Sequence, residues 1–130
     1  MIILCIDNDP EDIDLFRDAV KQVDPSITFL SALGGQEALA LLSSIKDIKQ
    51  LPEYVFLDVN MPRMDGKETL KEIRKIERYR SMQIIMLSTG LSPRDHEDYQ
   101  QLGANHFMSK ASSFQELCDK LRSVLKMQTL

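Results

Sequence analysis

A doubly wound α/β fold on a five-stranded parallel sheet is predicted by three observations. Short apolar runs recur five times along the 130 residues, stretches of roughly helical period separate them, and the runs end on polar or acidic residues that lead into loops. At this length the chain fits one domain, able to bury about two thirds of its unfolded surface.

Residues 1–6 (MIILCI) form the first buried strand, closed by DNDPED. Asp9 is placed to cap the following helix, Pro10 to sit at its first position, and Asp12 to fall three residues after the cap in the manner of a capping box. Ile13, Phe16, Val20 and Val23 then repeat at nearly helical spacing. Residues 26–33 make the second strand, 34–46 the second helix, and 46–52 a polar connection. YVFLD at 54–58 is the third strand, and MPRMDG is a loop leading to the helix at 67–76, with Leu70, Ile73 and Ile76 as its apolar face. The fourth strand covers 82–87, and a polar helix with a weak stripe at Tyr99 and Leu102 covers 93–102. Residues 104–108 form a short fifth strand. Phe114, Leu117, Leu121, Val124 and Leu125 line the last helix, with 126–130 as its frayed end.

In parallel sheets of this kind the loops at the carboxyl ends of the strands form the ligand crevice. That rule gathers Asp7 and Asn8, Asp58, Ser88 and Thr89, and Lys110 on one edge. Acidic and amide oxygens brought together repel unless a cation neutralises them, and hard oxygen donors favour Mg2+. With the ion bound, a carboxylate at Asp58 is suited to attack a phosphoryl donor while Lys110 and a hydroxyl meet the transferring oxygens. No GxxxxGK[ST] or GxGxxG stretch occurs, so the phosphoryl group is expected from a partner or a small donor.

Composition excludes several classes. A net charge of −4 argues against nonspecific nucleic-acid binding. The two cysteines, Cys5 and Cys118, lack disulfide-framework or zinc spacing and read as small buried hydrophobes. No run approaches about eighteen apolar residues and the first nine residues turn acidic too early for a signal peptide, so a cytoplasmic location is expected. His96 and His106 read as surface or locally bonded residues, and Met61, Met64, Met82, Met86 and Met108 as packing groups.

IDND at 6–9, VFLDVNMPRMDG at 55–66, IIMLSTG at 84–90 and GANHFMSKA at 103–111 resemble the four signature regions of the bacterial response regulator receiver domain, and the resemblance covers essentially the whole chain. It implies a flavodoxin-like sheet of order 2-1-3-4-5 and a receiver over 1–130 without an effector domain. Asp58 is then the phosphoacceptor, with catalytic roles for Ser88 and Lys110. Asp7, Asn8, Asp58 and the carbonyl of Asn60 form the Mg2+ set, and Ser88 and Phe107 act as switch residues. The implied partners are a sensor histidine kinase or histidine phosphotransfer domain and an unidentified downstream protein, with a homodimer also open and with neither nucleic acid nor membrane contacted directly.

Two departures stand out. Asn8 replaces the usual second acid, and Ala111 replaces the proline after the lysine, where a cis bond is common. A cis Lys110–Ala111 bond is expected here from the need to aim the lysine, although without proline it costs roughly 3 to 4 kcal/mol. Both departures favour the alternative, a degenerate receiver that binds proteins without phosphate. A small-molecule enzyme is disfavoured because only short turns are predicted around the acids.

Overall fold

The computed structural model describes residues 1–129, with side chains through 125; the frayed end expected at 126–130 lies outside the described side chains. Five parallel strands, β1 (Ile2–Ile6), β2 (Thr28–Ala32), β3 (Tyr54–Asp58), β4 (Gln83–Ser88) and β5 (His106–Ser109), alternate with helices α1 (Pro10–Val23), α2 (Gly35–Ser44), α3 (Gly66–Arg74), α4 (Pro93–Gln101) and α5 (Phe114–Thr129). The sheet order is β2-β1-β3-β4-β5, as expected for a doubly wound fold.

The strands read as unbroken apolar runs because both faces are covered. Ile3, Cys5, Phe56, Ile85 and Leu87 pack against α1 and α5, where Ile13, Phe16, Val20, Cys118 and Leu121 meet them. Leu4, Ile6, Val55, Leu57, Ile84 and Met86 point the other way, onto Ala38 and Leu42 of α2, Leu70 and Ile73 of α3, and Tyr99 of α4. Tyr99 is the one buried residue of α4, in keeping with its weak stripe. Both cysteines are free and buried. Met82 and Met86 are fully buried and Met61 and Met108 nearly so, all as packing groups.

Several boundaries and faces differ from the sequence reading. Strand β5 starts two residues later than expected, because Ala104 tucks into the core from a turn rather than from the strand. Phe114 is 41% exposed and Cys118 takes the buried position on that helix, while Ile76 falls beyond the end of α3 and is 39% exposed. The Lys110–Ala111 bond is trans, contrary to expectation, as are all others among the described residues. Its backbone is aimed instead by Lys110 N–H donating to the Ser88 carbonyl at 2.8 Å. With no proline at 111, nothing offsets the cost of the cis form.

Arg74, at the end of α3, ties the edge opposite the crevice. Its guanidinium donates to the carbonyls of Gly103, Tyr79, Arg80 and Met82 and to Asn105 Oδ1, at 2.8 to 3.3 Å. Asn105 Oδ1 also accepts the Ile84 N–H at 2.8 Å, so one side chain anchors the turns on both flanks of β4. Arg74→Met keeps the apolar stem and strands these acceptors. We expect a loss of about 2 to 3 kcal/mol, read as a melting temperature lower by roughly 10 °C; a change under about 0.5 kcal/mol would show that water replaces the guanidinium at little cost.

Candidate functional site

Each acid of the crevice is held by its own local turn. β1 ends at Ile6, and Asp7 continues the sheet by donating its N–H to Ala32 O at 3.1 Å. Asp7 Oδ1 then accepts the Asp9 N–H at 3.0 Å, and Asp9 Oδ1 accepts the Glu11 N–H at 3.0 Å, capping α1 with Pro10 in its first turn. The expected capping box does not form. Asp7 already takes the Asp9 N–H that a box would use, so Asp12 turns toward Lys110 instead.

Asp58 closes β3. Its Oδ1 accepts the Asn60 N–H at 3.1 Å, a turn that Asp residues favour, so one oxygen holds the loop while the other faces Lys110. Beyond it the loop folds back until Gly66 N–H reaches Val59 O at 3.2 Å and Asp65 caps α3 through the Glu68 N–H. Ser88, buried at the end of β4, lies one residue beyond Leu87, the partner of Asp58 in the sheet. Neither Ser88 nor Thr89 caps α4; that position belongs to Ser92.

Lys110 enters from the end of β5. Its ammonium lies 3.1 Å from Asp58 Oδ2, 3.6 Å from Asp7 Oδ2 and 3.7 Å from Asp12 Oδ2. Asp7 and Asp58 are each 3% exposed, whereas Lys110 and Asp12 stand nearer the solvent. Burial alone would lower the lysine's affinity for its proton, but Asp58, Asp7 and Asp12 together outweigh it and hold the ammonium above its ordinary pKa. Asp7 moves the other way from a salt-bridged acid. Burial pushes its pKa up, and the Asp9 N–H and Lys110 only partly oppose this.

The sign follows from linkage. An acid whose folded pKa lies above its unfolded value binds its proton more tightly when folded, so the fold loses stability as pH rises through that window from about 4 upward. Asp7→Asn removes this penalty. Without added metal the variant should be more stable than wild type at neutral pH, with the gain shrinking as pH falls toward about 4. Urea titrations at two pH values would check it; a variant less stable than wild type at neutral pH would mean that the Lys110 contact outweighs burial.

Two buried carboxylates, Asp7 and Asp58, meet at this edge beside Lys110, and hard oxygen donors of this kind fit a divalent ion of the Mg2+ class completed by water. Each carboxylate oxygen retains acceptor capacity beyond the single N–H or ammonium it meets. Among the described residues no group of three or more His, Cys, Asp or Glu gathers as a metal cage. Asn8 is exposed and lines a separate hollow with Leu33, Gly34, Pro62 and Met64, away from Lys110.

Phe107 sits on β5 opposite Met86, half-buried. His96 of α4, a half-exposed residue, packs its ring on Phe107 with centroids 4.2 Å apart, and Tyr99 meets it edge-on at 6.4 Å. A cleft of about 290 Å³ also runs from Asp7, Asp12 and Lys110 between α1 and α5, past Leu15, Phe16 and Phe114. The sequence suggested only short turns here. Its walls come from helix faces that a strand-end reading does not weigh.

Residues 3–122 match the response regulator receiver domain family, and the chain belongs to it. Domains of this family normally act as phosphoacceptor switches in two-component signalling. The sensor histidine kinase CheAY of Helicobacter pylori is 26% identical over 98% of the chain, which spans 15% of that protein's length. The chemotaxis protein CheY4 of Vibrio cholerae superposes with a TM-score of 0.79 at 26% identity, covering 95% of this chain and 97% of that one. The response regulator Rcp1, solved in a Mn2+-bound form, shares the fold with a TM-score of 0.81 at 21% identity, covering 98% and 93% of the two chains. No helix among the described residues is long and apolar enough to cross a membrane.

Proposed function

We propose that Asp58 is the phosphoacceptor of this switch. What supports the reading most is the Lys110 ammonium 3.1 Å from Asp58 Oδ2, on an edge where Asp7 is a second buried carboxylate. An Asp58 oxygen forms a bond to phosphorus as the donor's P–N or P–O bond breaks, and the leaving atom departs with the bonding pair. Lys110 follows the negative charge onto the transferred oxygens, and the Ser88 hydroxyl donates to one of them. Attack of water on the phosphorus of the acyl phosphate returns the carboxylate and inorganic phosphate.

Asp7, Asn8, Asp58 and the Asn60 carbonyl would hold a Mg2+ ion, which when bound screens the negative charge of the transferring group. Asn8 contributes no charge, so affinity should be modest. The phosphodonor is a histidine kinase or a histidine phosphotransfer domain, and the output is a protein contact that changes when Phe107 and Ser88 rearrange. The α4–β5 face is suited to this, since His96 and Tyr99 of α4 both rest on Phe107.

Intact mass after incubation with acetyl phosphate tests the reading. A single added phosphoryl group that requires Mg2+ and disappears with a chelator is the expected result. No addition, together with no binding of beryllofluoride, would favour the phosphate-independent binding module to which Asn8 and Ala111 point.

A further inference from the structure

Asp12 is the carboxylate around Lys110 that lies outside both the phosphoacceptor and the proposed metal set. It stands on the first turn of α1, its side chain 45% exposed, with Oδ2 3.7 Å from the lysine nitrogen. Asp58 and Asp7 approach the same nitrogen from inside the crevice, at 3.1 and 3.6 Å. A divalent ion shared by those two inner carboxylates would neutralise them and weaken what holds Lys110 from within. Asp12 stands outside that pair, with its carboxylate facing the same ammonium.

We propose, resting on the phosphoacceptor reading, that Asp12 is a positioning residue that keeps the Lys110 ammonium at the mouth of the crevice when metal occupies Asp7 and Asp58. Lys110 then meets the incoming phosphoryl oxygens from a fixed place rather than swinging out along its four-carbon stem. In this arrangement the third carboxylate sits on the lysine's side, while Asn8, which lines a hollow with Gly34 and Pro62, carries no charge.

A first-turn acid also favours a helix N-terminus, so loss of stability in a variant would not separate the two roles. Accessibility of Lys110 would. Wild type, Asp12→Asn and Asp12→Glu are treated with a limiting amine-acylating reagent, with and without Mg2+, and acylation at Lys110 is compared by peptide mass with that at exposed Lys71. In wild type Mg2+ should leave Lys110 protected. In D12N it should raise acylation by about threefold or more, since the inner carboxylates no longer compensate. The rate of phosphorylation by acetyl phosphate should fall about 5- to 10-fold in D12N and return to within about twofold of wild type in D12E.

Equal Lys110 acylation in wild type and D12N with Mg2+ present, or unchanged phosphorylation rates, would overturn Asp12's role while leaving Asp58 as phosphoacceptor. Wild-type protein that accepts no phosphoryl group from any donor would instead overturn the reading on which the role rests.

Discussion

Asp58→Asn should take no phosphoryl group. The amide keeps the shape of the side chain and one acceptor oxygen, which serves either the Asn60 N–H or the Lys110 ammonium, and the strand around it is unchanged, so the fold should be retained. What disappears is the anionic nucleophile, because an amide oxygen is far less nucleophilic than a carboxylate. The rate with acetyl phosphate should fall by at least about 10³-fold. Peptide mapping adds a stricter check, since a residual label on Asp7, Asp12 or Ser88 would expose a second acceptor. A variant labelled at the wild-type rate would remove Asp58 from the mechanism.

Gly66→Ala should damage both fold and site. A Cβ at this position would lie 2.5 Å from the Asp58 carbonyl oxygen and 2.7 Å from Val59 Cα, and both are backbone atoms that cannot rotate away. The loop that leaves β3 must return this closely because Gly66 N–H bonds to Val59 O. Relieving the clash means displacing the residue that carries the nucleophile. We expect a cost of about 2 to 4 kcal/mol, roughly 10 °C in melting temperature, and slower phosphorylation in the protein that still folds. Gly34→Ala is the control. There the nearest atom is Glu37 Oε1 at 2.9 Å, the end of a flexible exposed side chain on extended backbone, and the change should stay within about 0.5 kcal/mol. Similar melting temperatures for the two variants would refute the close-approach argument.

The same geometry explains the pattern of VFLDVNMPRMDG. An apolar strand can end on an acid because the next residues fold back over its end, and the glycine is the residue small enough to pass the strand's last carbonyl. Asp58, Asp7 and Lys110 were legible because a parallel sheet brings strand ends to one edge regardless of side-chain detail. Asp12 was not, because its spacing from Asp9 fits a capping box equally well. Only the competing hydrogen bond from Asp9 N–H to Asp7 decides against it.

Arg74 escaped for a different reason. Its acceptors are main-chain carbonyls and one asparagine drawn from separate turns, so no local spacing announces them. The position of Phe114 was misread because apolar character alone does not set the phase of a helix whose first turn lies at the mouth of a cleft. The His96 stack on Phe107 depends on the relative placement of α4 and β5, which periodicity within each element leaves undetermined.

A helix that buries one tyrosine has a low threshold for local opening. The burial of Tyr99 is worth about 2 kcal/mol, far below the stability of a whole domain, so α4 can detach or reseat while the sheet remains intact. Hydrogen exchange in α4 should then proceed by subglobal opening, faster than in the central strands.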